Sequence, residues 1–171
     1  MPGFQTKFLE SKGQPIEYEG KRLVLGDFFP VMSATRLRLV IESCRSTFRQ
    51  GVALDLAHRG PDGRWRRGAT TEGDGELMVA GKKYNGRKGI FLWQDDAQES
   101  FEFQVHGRPE AVDVFNVWEV KDHRGHPYMD SRHNGAAMIV EEIPNGRRYR
   151  CNDGEPDEDF DDIVFRLERV E

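Results

Sequence analysis

Apolar and polar positions alternate through most of this chain, the period of a strand whose successive side chains face opposite ways. Residues 35–44 set Leu37, Leu39 and Ile41 against Arg36, Arg38 and Glu42, and residues 100–106 set Phe101, Phe103 and Val105 against Glu102 and Gln104. Residues 111–120 carry Val112, Val114, Asn116 and Trp118 on one face and Phe115 and Val117 on the other, which predicts a strand buried on both sides. The pattern predicts further strands over 52–58, 76–80, 90–94, 136–143, 147–151 and 163–170. No helical stripe of useful length is visible.

Turn signals separate these runs at short intervals: Gly60-Pro-Asp-Gly63, Asn85-Gly86, His106-Gly-Arg-Pro109 and Asn145-Gly146. Asn-Gly between strands favours a tight hairpin, because both turn positions accept positive φ. Two hairpins are therefore expected, around Asn85-Gly86 and Asn145-Gly146. About nine short strands at this spacing predict an all-β fold, an antiparallel β-sandwich of jelly-roll type. Residues 1–171 form one domain on this reading, with 1–30 as a less regular opening segment.

Size and composition agree with that picture. At 171 residues and 37% hydrophobic content the chain can bury a core. No apolar run is long enough to cross a bilayer, so no membrane partner is expected. The first residues lack the apolar stretch of a signal peptide, which predicts a cytoplasmic protein or one exported without a standard signal. Cys44 and Cys151 are too few for a disulfide scaffold; two free thiols are expected, with a single bridge between them as the alternative.

The formal charge of −5 hides an asymmetry. Seven acids fall within the eleven residues Asn152–Asp162, and without them the chain is slightly basic. Such crowding costs repulsive free energy unless a hard cation such as Ca²⁺, or a set of arginines, balances it. Asp157, Asp159 and Asp161 alternate, while Asp153 and Asp162 can reach in from the flanks. Phe160, lone among the charges, is expected to pin the loop to the core beneath. The competing neutraliser is the preceding hairpin, with Arg147, Arg148 and Arg150. The spacing is not that of an EF-hand, which needs a Gly at its sixth position and a Glu at its twelfth.

The run Asp153-Gly-Glu-Pro-Asp-Glu-Asp-Phe-Asp-Asp-Ile-Val-Phe165 resembles the calcium loop of the small two-calcium bacterial lectins that bind fucose and mannose, and of related calcium-binding β-sandwich domains. The resemblance implies that Asp157, Asp159, Asp161 and Asp162 ligate Ca²⁺, with Asn152 standing where the family has a carboxylate. It also implies that sugar hydroxyls complete the coordination. The chain differs from the pattern by one extra residue between Asp153 and Asp157, by the neutral Asn152, and by ending in Arg169-Val-Glu171 where the family has a glycine. The likeness spans about a dozen residues.

Other constellations carry less. His123, His126 and His133 could hold Zn²⁺, but they lie in a Gly/Pro-rich stretch that nothing orients. Trp93-Gln94-Asp95-Asp96 places an aromatic ring beside two carboxylates, a scheme suited to a sugar, with a rim tryptophan and a turn as the bland alternative. Cys151 reads as a buried structural thiol. Basic residues around Trp65 and Lys82-Lys83 suggest nucleic acid only weakly, since the sequence pI is about 5.6; no nucleic-acid partner is expected. No nucleophile–base pair, cofactor loop or metalloprotease signature is visible, and no catalytic residue is assigned. The expected function is a calcium-dependent, non-enzymatic binding module for carbohydrate. The alternative is a metal-free intracellular protein that docks a partner through the acidic loop and the arginine hairpin.

Overall fold

A computed structural model describes residues 3–67, 76–79, 82–85, 90–95, 100–107, 109–155 and 157–170. Fifteen strands and one short helix are present among them. All nine expected strands form, as β4 (Arg36–Cys44), β5 (Gln50–Arg59), β7 (Glu76–Val79), β9 (Ile90–Trp93), β10 (Phe101–His106), β11 (Ala111–Lys121), β13 (Ala137–Ile143), β14 (Gly146–Asn152) and β15 (Ile163–Arg169). Six shorter ones join them: β1 (Ile16–Tyr18), β2 (Lys21–Val24), β3 (Asp27–Pro30), β6 (Trp65–Arg67), β8 (Lys82–Asn85) and β12 (Pro127–Asp130). The opening segment is thus more regular than expected, and it also holds helix α1 (Phe4–Glu10).

The strands make two antiparallel sheets that pack face to face. One runs β1-β2-β13-β14-β15-β4-β10-β7-β8; the other runs β12-β11-β5-β6, with β3 on β11 and β9 on β5. The main core lies between them. The first sheet contributes Leu37, Leu39, Phe103, Val105, Tyr149, Phe165 and Leu167; the second contributes Val52, Leu54, Leu56, Val112 and Val114. The alternating positions therefore point inward as the pattern predicts. β11 is buried along most of its length, from Ala111 to Val114 and again from Asn116 to Trp118.

The opening segment builds a second, smaller core on the outer face of the first sheet. In β13, Met138 points into the sandwich while Ala137 and Ile139 point outward, and in β2 Val24 and Leu23 divide in the same way. Phe4 and Phe8, one turn apart on α1, cover that outer face and meet Phe160 of the acidic loop. The end of β2 and the start of β13 are buried on both sides as a result.

The two hairpin expectations fare differently. Ile143 pairs with Gly146, so the β13–β14 turn is Pro144-Asn145, with Asn145 at φ +66°. Proline followed by a positive-φ asparagine is the pattern of a type II turn. Gly146 instead opens β14, where an added Cβ would collide with the Leu167 carbonyl. The hairpin expected around Asn85-Gly86 falls outside the described residues, which stop at Asn85 and resume at Ile90. β8 pairs back with β7, Val79 opposite Lys82, and the next described strand, β9, belongs to the other sheet.

Candidate metal centre

β14 and β15 are neighbours, with Cys151 opposite Ile163, so the acidic segment is the connection between two paired core strands. Its base is built from buried polar groups. Asn152 has no exposed surface. Its Nδ2 donates to the Asp157 carbonyl at 2.9 Å and its Oδ1 accepts the Phe160 N–H at 2.7 Å. Asp153 is also fully buried. Its Oδ2 accepts from Ser46 Oγ at 2.5 Å and Gln50 Nε2 at 2.9 Å, and its Oδ1 accepts the Glu155 N–H at 2.9 Å. Asn116 on β11 ties down the Asn152 carbonyl at 2.9 Å. Asn152 and Asp153 thus shape the loop from within.

On this frame Asp157, Asp159 and Asp162 each bring one carboxylate oxygen within 4.8 Å of the others. Two oxygens on opposite sides of a Ca²⁺ at roughly 2.4 Å would stand roughly 4.8 Å apart, so the trio can share one ion. Asp162 is buried and accepts the Asp153 N–H at 2.8 Å through Oδ2. Asp157 and Asp159 face solvent. Asp161 stands outside the trio, its Oδ2 3.9 Å from the Arg45 guanidinium and its buried Oδ1 without a hydrogen-bond partner.

The crowd of charge shows in the acidities. Burial, followed by the charges of Asp153, Asp157 and Asp159, pushes the Asp162 carboxyl up to about 7. Burial and the neighbouring Asp159 lift Asp157 to about 6, and Asp161 is raised for the same reasons. A site that holds protons this firmly is one that a cation would relieve.

The arginine hairpin supplies no such relief. Arg147 binds Asp27 at 2.9 Å and Glu142 at 2.8 Å. Arg148 spans Glu42 at 2.7 Å and Glu141 at 3.2 Å, and Arg150 lies 3.7 Å from Glu141. Arg148 and Arg150 thus reach across the first sheet to β4 and β13, and Arg147 joins β13 to β3 of the second sheet. Among the described residues, Arg45 with Asp161 is the one ion pair made by a loop carboxylate.

The remaining candidates do not join this centre. Trp93 ends β9 with the Arg49 guanidinium 4.5 Å over its ring, and Arg49 Nε also binds Asp95 at 2.6 Å. The expected aromatic-and-acid platform is therefore bridged by an arginine. Asp96 lies outside the described residues. His126 and His133 are exposed beside Asp122 and Asp130, each at 3.5 Å, and with His123 they form no group able to share an ion among the described residues. Cys44 and Cys151 are unpaired. Burial raises Cys44 to about 11 and drives Cys151 well above the usual thiol range, with Asp162 adding to it. Neither is a ready nucleophile.

Ser46 in the β4–β5 turn, Gln50 on β5 and Asn116 on β11, which hold the loop, carry no signature in the sequence. Nor does a cleft of about 780 Å³ beside the loop, lined by the β4–β5 turn, the end of β11, β12, and Gly154 and Glu155. No protein-family description, curated protein or solved structure matches this chain.

Proposed function

We propose that the chain is a calcium-dependent, non-enzymatic binding module whose ligand is carbohydrate. The observation that carries the metal reading is the convergence of Asp157, Asp159 and Asp162 on a volume the size of one Ca²⁺, in a loop that the nearby arginines leave unbalanced. Calcium takes six to eight oxygens, so three carboxylates leave positions for carbonyls, water or hydroxyls of a ligand. The sugar class follows from the loop's resemblance to the two-calcium lectins. The metal-free docking alternative loses half of its surface, since Arg147, Arg148 and Arg150 are engaged with acids of the sheet.

Thermal melting with Ca²⁺ against EDTA tests the metal reading. An ion that binds only the folded chain stabilises it by about 2.7 kcal/mol at a hundredfold excess over Kd. For a chain of this length that is a rise of roughly 5–10 °C. Asp157→Asn with Asp159→Asn is expected to abolish the rise and leave the midpoint in EDTA equal or higher, because repulsion falls. An unchanged wild-type midpoint in millimolar Ca²⁺ sinks the metal reading.

A further inference from the structure

We infer that a neutral sugar is seated in the cleft beside the acidic loop, off the metal, and that the loop acts on it by setting one wall. This rests on the reading of the chain as a sugar-binding module and adds where the ligand sits. The cleft's volume of about 780 Å³ falls within the roughly 300–1,000 Å³ range of small-ligand sites. Its sides combine two kinds of surface. Tyr128, on the edge strand β12, lines it while half exposed, and the buried Trp118 backs its floor from the core side. Around the Tyr128 ring stand Glu119, Asp130 and His133, planar groups that accept or donate hydrogen bonds. A pyranose needs this pairing: an aromatic face for its C–H surface, and in-plane polar groups for neighbouring hydroxyls.

Charge narrows the class further. The cationic side chains in the lining, Arg49 and Lys121, face three carboxylates, Glu119, Asp130 and Glu155. Arg49 is already engaged with Asp95 at 2.6 Å and Glu119 at 3.4 Å. The cleft therefore offers no net positive field to a phosphate or carboxylate ligand, and its mixed lining suits an uncharged polyol.

The wall shared with the acidic loop is Gly154-Glu155. A Cβ on Gly154 would come within 3.1 Å of the Trp118 ring, so the glycine lets the backbone lie flat on the indole. The Glu155 N–H is fixed by Asp153 Oδ1, and the Asp153 N–H by Asp162 Oδ2. Asp162 is one of the three converging carboxylates. Two hydrogen bonds thus link the cation site to the cleft wall.

The test is a printed panel of neutral mono- and oligosaccharides, probed with labelled wild type, Tyr128→Ala, and Asp157→Asn/Asp159→Asn, each in Ca²⁺ and in EDTA, with melting curves alongside. Wild type is expected to capture at least one neutral glycan. Tyr128→Ala should weaken that capture by roughly tenfold, the loss of one ring contact, while keeping the full calcium shift in melting. The double aspartate variant should lose the calcium shift and bind sugar weakly in either buffer. Capture that is untouched in Tyr128→Ala but abolished in the double aspartate variant would put the sugar on the metal and overturn the inference. Calcium-shifted melting with no neutral glycan captured would also overturn it, leaving the metal reading intact. Absence of the calcium shift with Tyr128-dependent capture would sustain the cleft and remove the metal.

Discussion

Phe160 holds a backbone conformation that bulky L-residues seldom adopt, with φ at +55°. Left-handed geometry costs on the order of 1–2 kcal/mol for such a residue. Two features offset it. The ring is buried against the small outer core, 5.8 Å from Phe4, and the amide is held by Asn152 Oδ1. The strained residue lies between Asp159 and Asp161, so the same bond that tolerates the strain aims the carboxylates on either side. Asn152→Ala removes both side-chain bonds and leaves a buried N–H and a carbonyl without partners. The expected cost is on the order of 2–3 kcal/mol, read as a melting midpoint lowered by roughly 5–10 °C. Calcium affinity should fall with it in a titration. A midpoint within a degree of wild type would show that the outer core alone shapes the loop.

Among the elements, those with long alternating runs were readable from the residues, as were the short β7 and β9, while six other short strands were not. β4 and β10 announce themselves through Leu37/Leu39 and Phe103/Val105, because one sheet face is dry and the other wet, and β11 through an apolar run buried on both faces. β1 and β12, at three and four residues, give no period to detect, and their pairing comes from neighbours far along the chain. Phe4 and Phe8 make a helical stripe of only one turn, which gains its meaning from Ala137, Ile139 and Phe160. The acidic trio was legible as composition; the bonds from Ser46, Gln50 and Asn116 that fix it were not, since their partners lie far along the chain. The β13–β14 hairpin shows the limit of a motif. Asn145-Gly146 marks the right place, yet positive φ falls on Asn145 alone, and Gly146 is required by the close approach of Leu167. Asn145→Gly should therefore be nearly neutral in chemical denaturation, whereas Gly146→Ala should cost roughly 1–3 kcal/mol as an overpacked contact against backbone. Equal effects from the two substitutions would contradict this assignment of roles.

At the scale of the whole molecule, the acidic loop couples two cores to the solution. It is closed at one end by β14 and β15, which are central to the sandwich, and rests through Phe160 on the helix-covered outer face. Whatever changes its charge should therefore be felt in global stability. The sign follows from the direction of the shifts. Asp162 at about 7 and Asp157 at about 6 lie above the value of roughly 3.9 that aspartate takes in an unfolded chain. Between roughly pH 4 and 7 the folded form then binds more protons than the unfolded one, and stability from these groups is lost as pH rises through that window. In EDTA the melting midpoint should fall as pH is raised from about 5 to about 7.5. Calcium held as proposed would compete with those protons, so its stabilising effect should be small at the acid end and grow with pH. The two curves, with and without calcium, should diverge upward in pH, and Asp162→Asn should flatten the EDTA curve by removing the most strongly shifted carboxyl. A gap between the curves that is constant from about pH 5 to 7.5 would mean that the loop carboxylates are already ionised throughout, and that protonation contributes nothing to how this chain tolerates its own charge.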